Sequence, residues 1–121
     1  MKAKSLFVSM AAAAGCVLSA SALAHTRLES SMPQANAVVA PAPTQLRLQF
    51  SDPLELPFSK VKLVDEKGTV LAPTKIAVDG ANPKALVATV PVLRPGAYRV
   101  QWSTVTRDGH KVKGEFGFRV K

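Results

Sequence analysis

The chain has 121 residues, with 16 basic side chains, 8 acidic side chains and one cysteine. This length leaves room for one small domain. A single cysteine cannot close a disulfide within the chain, so the fold must rest on an apolar core.

The first residues carry the pattern of a secretory signal. Lys2 and Lys4 give a positive start, and residues 6–17 form an apolar run that only Ser and Gly interrupt. Ala22 and Ala24 then form the small-x-small site that signal peptidase cuts. The run is shorter than the about 20 apolar residues that a membrane-spanning helix needs. The pattern therefore predicts export and not anchoring.

We predict a signal peptide over residues 1–24 and one domain over residues 25–121, exported to the periplasm. The alternative is cleavage before Cys16 with lipidation of that cysteine, since small residues precede it. The two possibilities differ in their consequence for His25. Only the first makes His25 the mature N-terminus with a free α-amine.

The charge of the predicted domain is positive. Without the two lysines of the signal, the 16 basic residues fall to 14, against 8 acidic ones. Several basic residues, such as Arg47, Lys62, Arg99 and Arg119, alternate with apolar residues and do not cluster with exposed aromatic residues. Export also removes the usual nucleic-acid partners. The sequence therefore predicts a solvated cationic surface and no nucleic-acid partner.

Alternating apolar residues predict an all-β domain. Every second residue is apolar in residues 46–50, 98–102 and 116–120, which is the period of a half-buried strand. Clusters of Gly, Pro, Asp and Asn separate these segments. The pattern predicts a small Greek-key β-sandwich of about seven strands. The predicted strands cover residues 46–50, 61–63, 69–72, 75–78, 86–90, 98–105 and 116–120.

The two histidines of the chain, His25 and His110, are candidate metal ligands. As a first residue, His25 offers a metal both its α-amine and its ring Nδ1. Asp108 stands two positions before His110 and would point the same way in an extended segment, with Gly109 between them. Three nitrogens and one oxygen suit tetragonal Cu(II), or less often Ni(II), whereas Zn²⁺ prefers a tetrahedron.

Simpler interpretations of the same residues remain open. Asp-Gly is a common hairpin turn, so residues 108–110 could be a turn followed by a surface histidine. His25 could follow the cleavage site by accident. Met32 is the only methionine after residue 24, so one chain cannot build a Cu(I) site from several thioethers.

Four segments resemble the periplasmic CopC copper-resistance proteins, in the same order and across nearly the whole predicted domain. They are His25-Thr26-Arg27-Leu28, residues 46–53, residues 96–102, and Asp108-Gly109-His110 followed by residues 114–118. The resemblance implies a cupredoxin-like or immunoglobulin-like β-sandwich that binds one Cu(II) per chain through His25, Asp108 and His110. It also implies a monomer that serves copper resistance or homeostasis. Such a protein buffers Cu(II) or hands it to an inner-membrane copper transporter of the CopD type.

Two departures from the family pattern matter. The chain has Asp52 where the family motif carries a Glu that lies near copper in some members. Asp52 is therefore a candidate neighbour of the metal, with a turn aspartate at a strand end as the alternative. Some members carry a Met-rich loop for Cu(I), and residues 69–93 contain no methionine. This favours binding of Cu(II) alone.

Two other classes of function compete with this hypothesis. One is a copper-dependent oxidative enzyme in which an N-terminal histidine brace holds the metal. In this chain Asp108 would occupy a position that an oxygenase keeps open for O₂. The other is a metal-free secreted β-sandwich that acts as an interaction module. We expect a copper-binding protein without enzymatic activity.

Overall fold

Nine strands and one short 3-10 helix make up the part of the chain that the computed structural model describes, residues 26–106 and 108–121. The predicted signal peptide and His25 lie outside these residues. The strands are β1 (Leu28–Met32), β2 (Val38–Val39), β3 (Gln45–Phe50), β4 (Lys60–Asp65), β5 (Val70–Leu71), β6 (Lys75–Asp79), β7 (Asn82–Thr89), β8 (Gly96–Val105) and β9 (Lys111–Val120), and the 3-10 helix is Leu56–Phe58.

The strands form two sheets that pack face to face. One sheet has four strands in the order β1-β3-β7-β6, and the other has five in the order β2-β9-β8-β4-β5. Neighbouring strands run antiparallel except β2 and β9, which are parallel. Hairpins join β4 to β5, β6 to β7 and β8 to β9, and the other connections cross between the sheets. The predicted Greek-key β-sandwich is confirmed.

The core between the sheets comes from the alternating residues. Leu46, Leu48 and Phe50 of β3 are fully buried, and they pack in one cluster with the inward residues of β4, β8 and β9. The ring of Phe50 meets the ring of Trp102 on β8 edge to face, with centroids 5.0 Å apart. Burial of each large apolar side chain stabilises the fold by about 1.5–3 kcal/mol. The core therefore replaces the disulfide that the chain cannot form.

A tyrosine near the start of β8 strengthens the likeness to immunoglobulin-type sandwiches. The hydroxyl of Tyr98 donates a 2.6 Å hydrogen bond to the carbonyl oxygen of Arg94, four residues upstream. Its ring stacks on Phe118 of β9 at 5.6 Å. Such a tyrosine corner ties a strand to the connection that precedes it in many Greek-key sandwiches.

The structure contains two strands that the sequence did not predict. In β1 the apolar residues are Leu28 and Met32, and Met32 is exposed, so the strand shows no apolar period. β2 has only two residues. β9 begins at Lys111 and not at residue 116. The predicted start was too late because Gly114, on the inward face, interrupts the apolar alternation. β7 begins at Asn82, within a predicted turn, since the turn itself is only residues 80 and 81.

Two connections meet at one end of the sandwich. β3 ends at Phe50, and the chain then crosses to β4. In that connection the Ser59 hydroxyl lies 2.8 Å from the hydroxyl of Thr104, and both residues are buried. Thr104 stands one residue before the end of β8, so the β3–β4 connection and the β8–β9 hairpin share this end. Over residues 26–106 and 108–121, no helix is long and apolar enough to cross a membrane.

Candidate metal centre

The β8–β9 hairpin is built as a three-residue loop between Thr106 and His110. The amide of Thr106 donates to the carbonyl oxygen of His110 at 2.9 Å, and the amide of Gly109 donates to that of Thr106 at 2.9 Å. Gly109 has a φ of +90°, a conformation that side chains with a Cβ rarely adopt. A turn followed by a residue of positive φ is a common hairpin loop of this length. The sequence Asp-Gly-His therefore folds as a turn at the end of the sandwich.

This turn brings two of the predicted ligands together. The Nδ1 atom of His110 lies 3.0 Å from the Oδ2 atom of Asp108. We expected the two side chains to point the same way because residues two apart in an extended segment share one face. That reason was wrong, since the segment is a tight turn, but the contact is present. A carboxylate accepts, so Nδ1 of His110 is the donor in this contact, and in the neutral imidazole the lone pair is then on Nε2.

Thr106 belongs to this site and was not predicted from the sequence. Its hydroxyl donates to Oδ1 of Asp108 and accepts a 3.1 Å hydrogen bond from the amide of His110. The Thr106 hydroxyl, and after it the His110 ring, holds the pKa of Asp108 below its ordinary value. Asp108 is thus a stable negative charge beside His110. Threonine hydroxyls form hydrogen bonds with nearby backbone groups in turns, so a threonine just before Asp-Gly is a signal that the sequence offered.

A second set of contacts fixes the chain immediately after His25. Thr26 is only 4% exposed, and its hydroxyl donates a 3.0 Å hydrogen bond to Oδ2 of Asp52. The Ser51 hydroxyl donates to the same oxygen at 3.0 Å. The backbone of Arg27 is bound to Ser51, donating to its hydroxyl at 3.0 Å and accepting from its amide at 2.9 Å. Asp52 therefore anchors the N-terminal segment, a role that Ser51 and Thr26 share.

Both groups of residues lie at the same end of the sandwich. Thr26 and Asp52 adjoin Phe50 at the end of β3, and Phe50 packs against Trp102 of β8. His110 and Asp108 stand just beyond the end of β8, and their side chains are 57% and 55% exposed. The end of the sandwich is thus open to ions in solution.

Two predicted ligands are placed by the structure and the third is not. Asp108 and His110 are in contact, whereas His25 falls outside the residues that the structure covers. Within residues 26–106 and 108–121, no three His, Cys, Asp or Glu side chains gather in a group that could hold a metal ion. The described carboxylate and imidazole are oxygen and nitrogen donors of the kind that Cu(II) accepts.

Known proteins share this chain's sequence and fold. The CopC domain family matches residues 28–121. Copper resistance protein C of Escherichia coli is 41% identical over 109 residues, covering 84% of this chain and 85% of that protein.

Two solved structures have the same fold. The methionine-rich copper resistance protein PcoC of Escherichia coli is 39% identical with a TM-score of 0.70, covering 81% of this chain and all of that one. CopC from Methylosinus trichosporium OB3b is 27% identical with a TM-score of 0.74, covering 80% of this chain and 94% of that one. With a family match across most of its length and relatives of this identity, the chain belongs to the CopC family.

Proposed function

We propose that this protein binds one Cu(II) ion at the end of the sandwich where β3 and β8 finish. In this proposal the removal of residues 1–24 makes His25 the first residue. Its α-amine and ring would supply two nitrogens, and His110 would supply the third. Asp108 would add negative charge and an oxygen donor.

The observation that carries the proposal is the anchoring of Thr26 at the end of the sandwich that also holds His110. The Thr26–Asp52 hydrogen bond fixes one chain segment, and the Thr106–His110 hairpin fixes the other. An anchored Thr26 limits how far the residue before it can move. The proposed chelating residue, His25, would therefore lose less conformational entropy on binding a metal than a residue on a loose terminus.

The contact between Asp108 and His110 supports the assignment of the metal-binding nitrogen. Because Nδ1 of His110 donates to Asp108, Nε2 is the nitrogen with the lone pair that a metal needs. A carboxylate that holds a ligand imidazole in this way fixes the ring and raises its basicity. In this proposal Asp108 acts on copper through the ring as well as through its charge.

The donor set favours Cu(II) over Cu(I). Cu(I) prefers thioether and thiolate ligands. Met32 is the only methionine after residue 24, and it lies on β1 within the smaller sheet, whereas the PcoC relative is called methionine-rich. Cu(II) accepts imidazole, amine and carboxylate ligands in tetragonal geometry.

The biological role that fits this site is copper resistance or homeostasis in the periplasm. The chain belongs to a family of copper resistance proteins and not to a family of enzymes. The exposed position of His110 and Asp108 suits a site that exchanges its metal with a partner. In our proposal the monomer buffers Cu(II) or passes it to an inner-membrane copper transporter of the CopD type.

Expression of the full chain in a Gram-negative host tests the proposal. We expect the periplasmic fraction to contain a protein whose intact mass equals residues 25–121. Its titration with Cu(II) should saturate at one equivalent, and Zn²⁺ at the same concentration should not displace the copper. A lipidated protein beginning at Cys16, or a titration without saturation at one equivalent, would contradict it.

A further inference from the structure

The outer face of the five-stranded sheet collects basic side chains that are far apart in the sequence. The strands β4, β8 and β9 are neighbours in this sheet, and along each of them core residues alternate with outward residues. The outward residues of all three strands therefore point to this side. We call this side the basic face. Its basic residues are Lys60, Lys62, Arg99, Lys111, Lys113 and Arg119, and its single acidic residue is Glu115.

The excess positive charge of the protein resides on this face. The rest of residues 25–121 contains eight basic and seven acidic residues, which nearly cancel. On the four-stranded sheet, for example, Arg47 forms a 2.9 Å ion pair with Asp79. The sequence predicted a solvated cationic surface whose basic residues alternate with apolar ones and do not cluster with exposed aromatic residues. The structure instead concentrates the charge, since a strand pattern alone does not reveal which strands become neighbours.

A shallow groove of about 730 Å³ runs through the basic face. The uncharged side chains of Gln101 and Ser103 on β8 form its floor, and Lys60 with Lys62 on β4 forms one wall. Residues of β9, including Lys113, form the other wall. The walls are two strand spacings apart, or about 9–10 Å, which is the width of one extended peptide.

The groove leads toward the proposed copper site. It follows β8, and β8 ends at the hairpin that carries His110. Ser103 on β8 pairs with Lys113 of β9 on one side and with Lys60 of β4 on the other. The two lysines therefore lie in one row across the sheet, close to that hairpin. Lys111 follows His110 directly and lies on the same face.

The spacing of the lysines matches an extended acidic segment. Lys60 and Lys62, like Lys111 and Lys113, are two residues apart on a strand, which places their α-carbons about 6.6–6.8 Å apart. Carboxylates at alternate positions of an extended chain have the same spacing. The nearby carboxylate of Glu115 accepts a 2.8 Å hydrogen bond from Nε of Arg99, so its charge is directed toward that arginine.

We propose that the basic face docks an extended acidic segment of a partner protein, with Asp or Glu at alternate positions, in the groove along β8. One end of that segment would lie beside His110, where the partner could exchange copper. The exchange role rests on the proposed function, whereas docking itself does not need copper. A concave groove one peptide wide fits a chain better than it fits a flat lipid surface.

A metal-free titration tests the docking. The probe is an eight-residue peptide of alternating Glu and Ser with blocked ends, added to the ¹⁵N-labelled protein of residues 25–121. Amide signals of β4, β8 and β9 should shift, and those of β1, β3, β6 and β7 should not. A peptide with Gln in place of each Glu should leave all of them unshifted. Added salt should weaken binding, because exposed charges are screened.

Paired charge reversals give a matched control. Lys60→Glu with Lys113→Glu reverses two lysines of the basic face, and Lys75→Glu with Lys84→Glu reverses two exposed lysines of the four-stranded sheet. Both pairs change the net charge equally. We expect the first pair to weaken peptide binding by about tenfold or more and the second by less than about twofold.

Several results would overturn the docking proposal. Equal weakening by both pairs would mean that only net charge matters. Failure of the Glu-Ser peptide to bind, or binding to phosphatidylglycerol vesicles in its place, would show that the face does not dock an acidic chain. The first pair should leave Cu(II) affinity unchanged within about twofold. Because the peptide titration contains no copper, a failed copper site and a failed docking surface give separate results.

Discussion

The hydroxyl of Thr26 donates a 3.0 Å hydrogen bond to the carboxylate of Asp52, and this bond fastens the N-terminal segment to the end of β3. From the sequence, Asp52 was predicted either to neighbour the metal or to be a turn aspartate at a strand end. Its observed contacts are with Thr26 and Ser51, so Asp52 holds the N-terminal segment in place. Holding the chain and binding the metal directly are two different roles, and they predict different effects of mutation.

If Asp52 acts through Thr26, Thr26→Val and Asp52→Ala should weaken Cu(II) binding equally. We expect about fivefold for each, the equivalent of the ~1 kcal/mol that a hydrogen bond contributes. The double variant should lose no more than either single variant, because both changes break the same bond. Competition titrations with a Cu(II) chelator measure this. A much larger loss in Asp52→Ala than in Thr26→Val would make Asp52 a direct ligand.

The two residues of the hairpin should contribute unequally to copper binding. His110→Ala removes a nitrogen ligand, whereas Asp108→Asn removes a charge and weakens the hold on the ring. We expect Asp108→Asn to cost about 10–100-fold in affinity, as for other residues that orient a metal-bound imidazole, and His110→Ala to cost more. Electron paramagnetic resonance should count two nitrogens in His110→Ala and three in Asp108→Asn. An unchanged affinity and nitrogen count in His110→Ala would reduce residues 108–110 to a simple turn.

A carboxylate away from the metal site should make stability depend on pH. The amide of Ala81, and after it the side chain of Arg47, holds the pKa of Asp79 below its ordinary value. A lowered folded-state pKa stabilises the fold at pH values above about 3.9, the value for an unfolded Asp, and this contribution disappears as the pH falls through the lowered value. Urea unfolding should therefore separate the wild type from Asp79→Asn at neutral pH. The difference should shrink below about pH 4.

Glu55→Gln is the control for that experiment, since it removes the same charge from an exposed position, whereas Asp79 is half-buried. It should not reproduce the neutral-pH loss of Asp79→Asn. If the two variants lose equal stability at neutral pH, the contacts of Asp79 with Ala81 and Arg47 contribute nothing.

Gly114 should resist substitution because Trp102 lies across it. A Cβ atom at this glycine would stand 2.6 Å from Cζ2 of the Trp102 ring, which itself packs on Phe50. We expect Gly114→Ala to destabilise the protein by about 1–3 kcal/mol through overpacking. Gly80→Ala is the control, since no atom lies within 4 Å of its added Cβ, and should change stability by less than about 1 kcal/mol. If Gly114→Ala and Gly80→Ala change the thermal unfolding temperature equally, Trp102 moves away from the added Cβ atom without loss of stability.

The sequence predicted the β-sandwich because the core strands obey a strict apolar period. In β3 and β8 every inward residue is apolar except Thr104, whose hydroxyl forms a hydrogen bond with the hydroxyl of Ser59. β1 was not predicted because few of its side chains contribute to the core. Its place is set by backbone pairing with β3, which no pattern of side chains records.

The site was predicted from residue types, and its geometry was not. Asp108 and His110 were identified from their chemistry, yet their contact depends on the positive φ of Gly109 and on the hydroxyl of Thr106. The partnership of Thr26 with Asp52 joins residues 26 positions apart. Contacts of that kind follow from the strand register and not from local sequence.

The central claim is that the α-amine of His25 is a copper ligand, and one added residue tests it directly. A protein that begins with Gly before His25 keeps every side chain and the whole sandwich but loses the amine and ring chelate. Competition titration should show Cu(II) affinity lower by at least about tenfold, and electron paramagnetic resonance should count fewer nitrogens. Equal affinity and an equal nitrogen count in the extended and native proteins would contradict the claim.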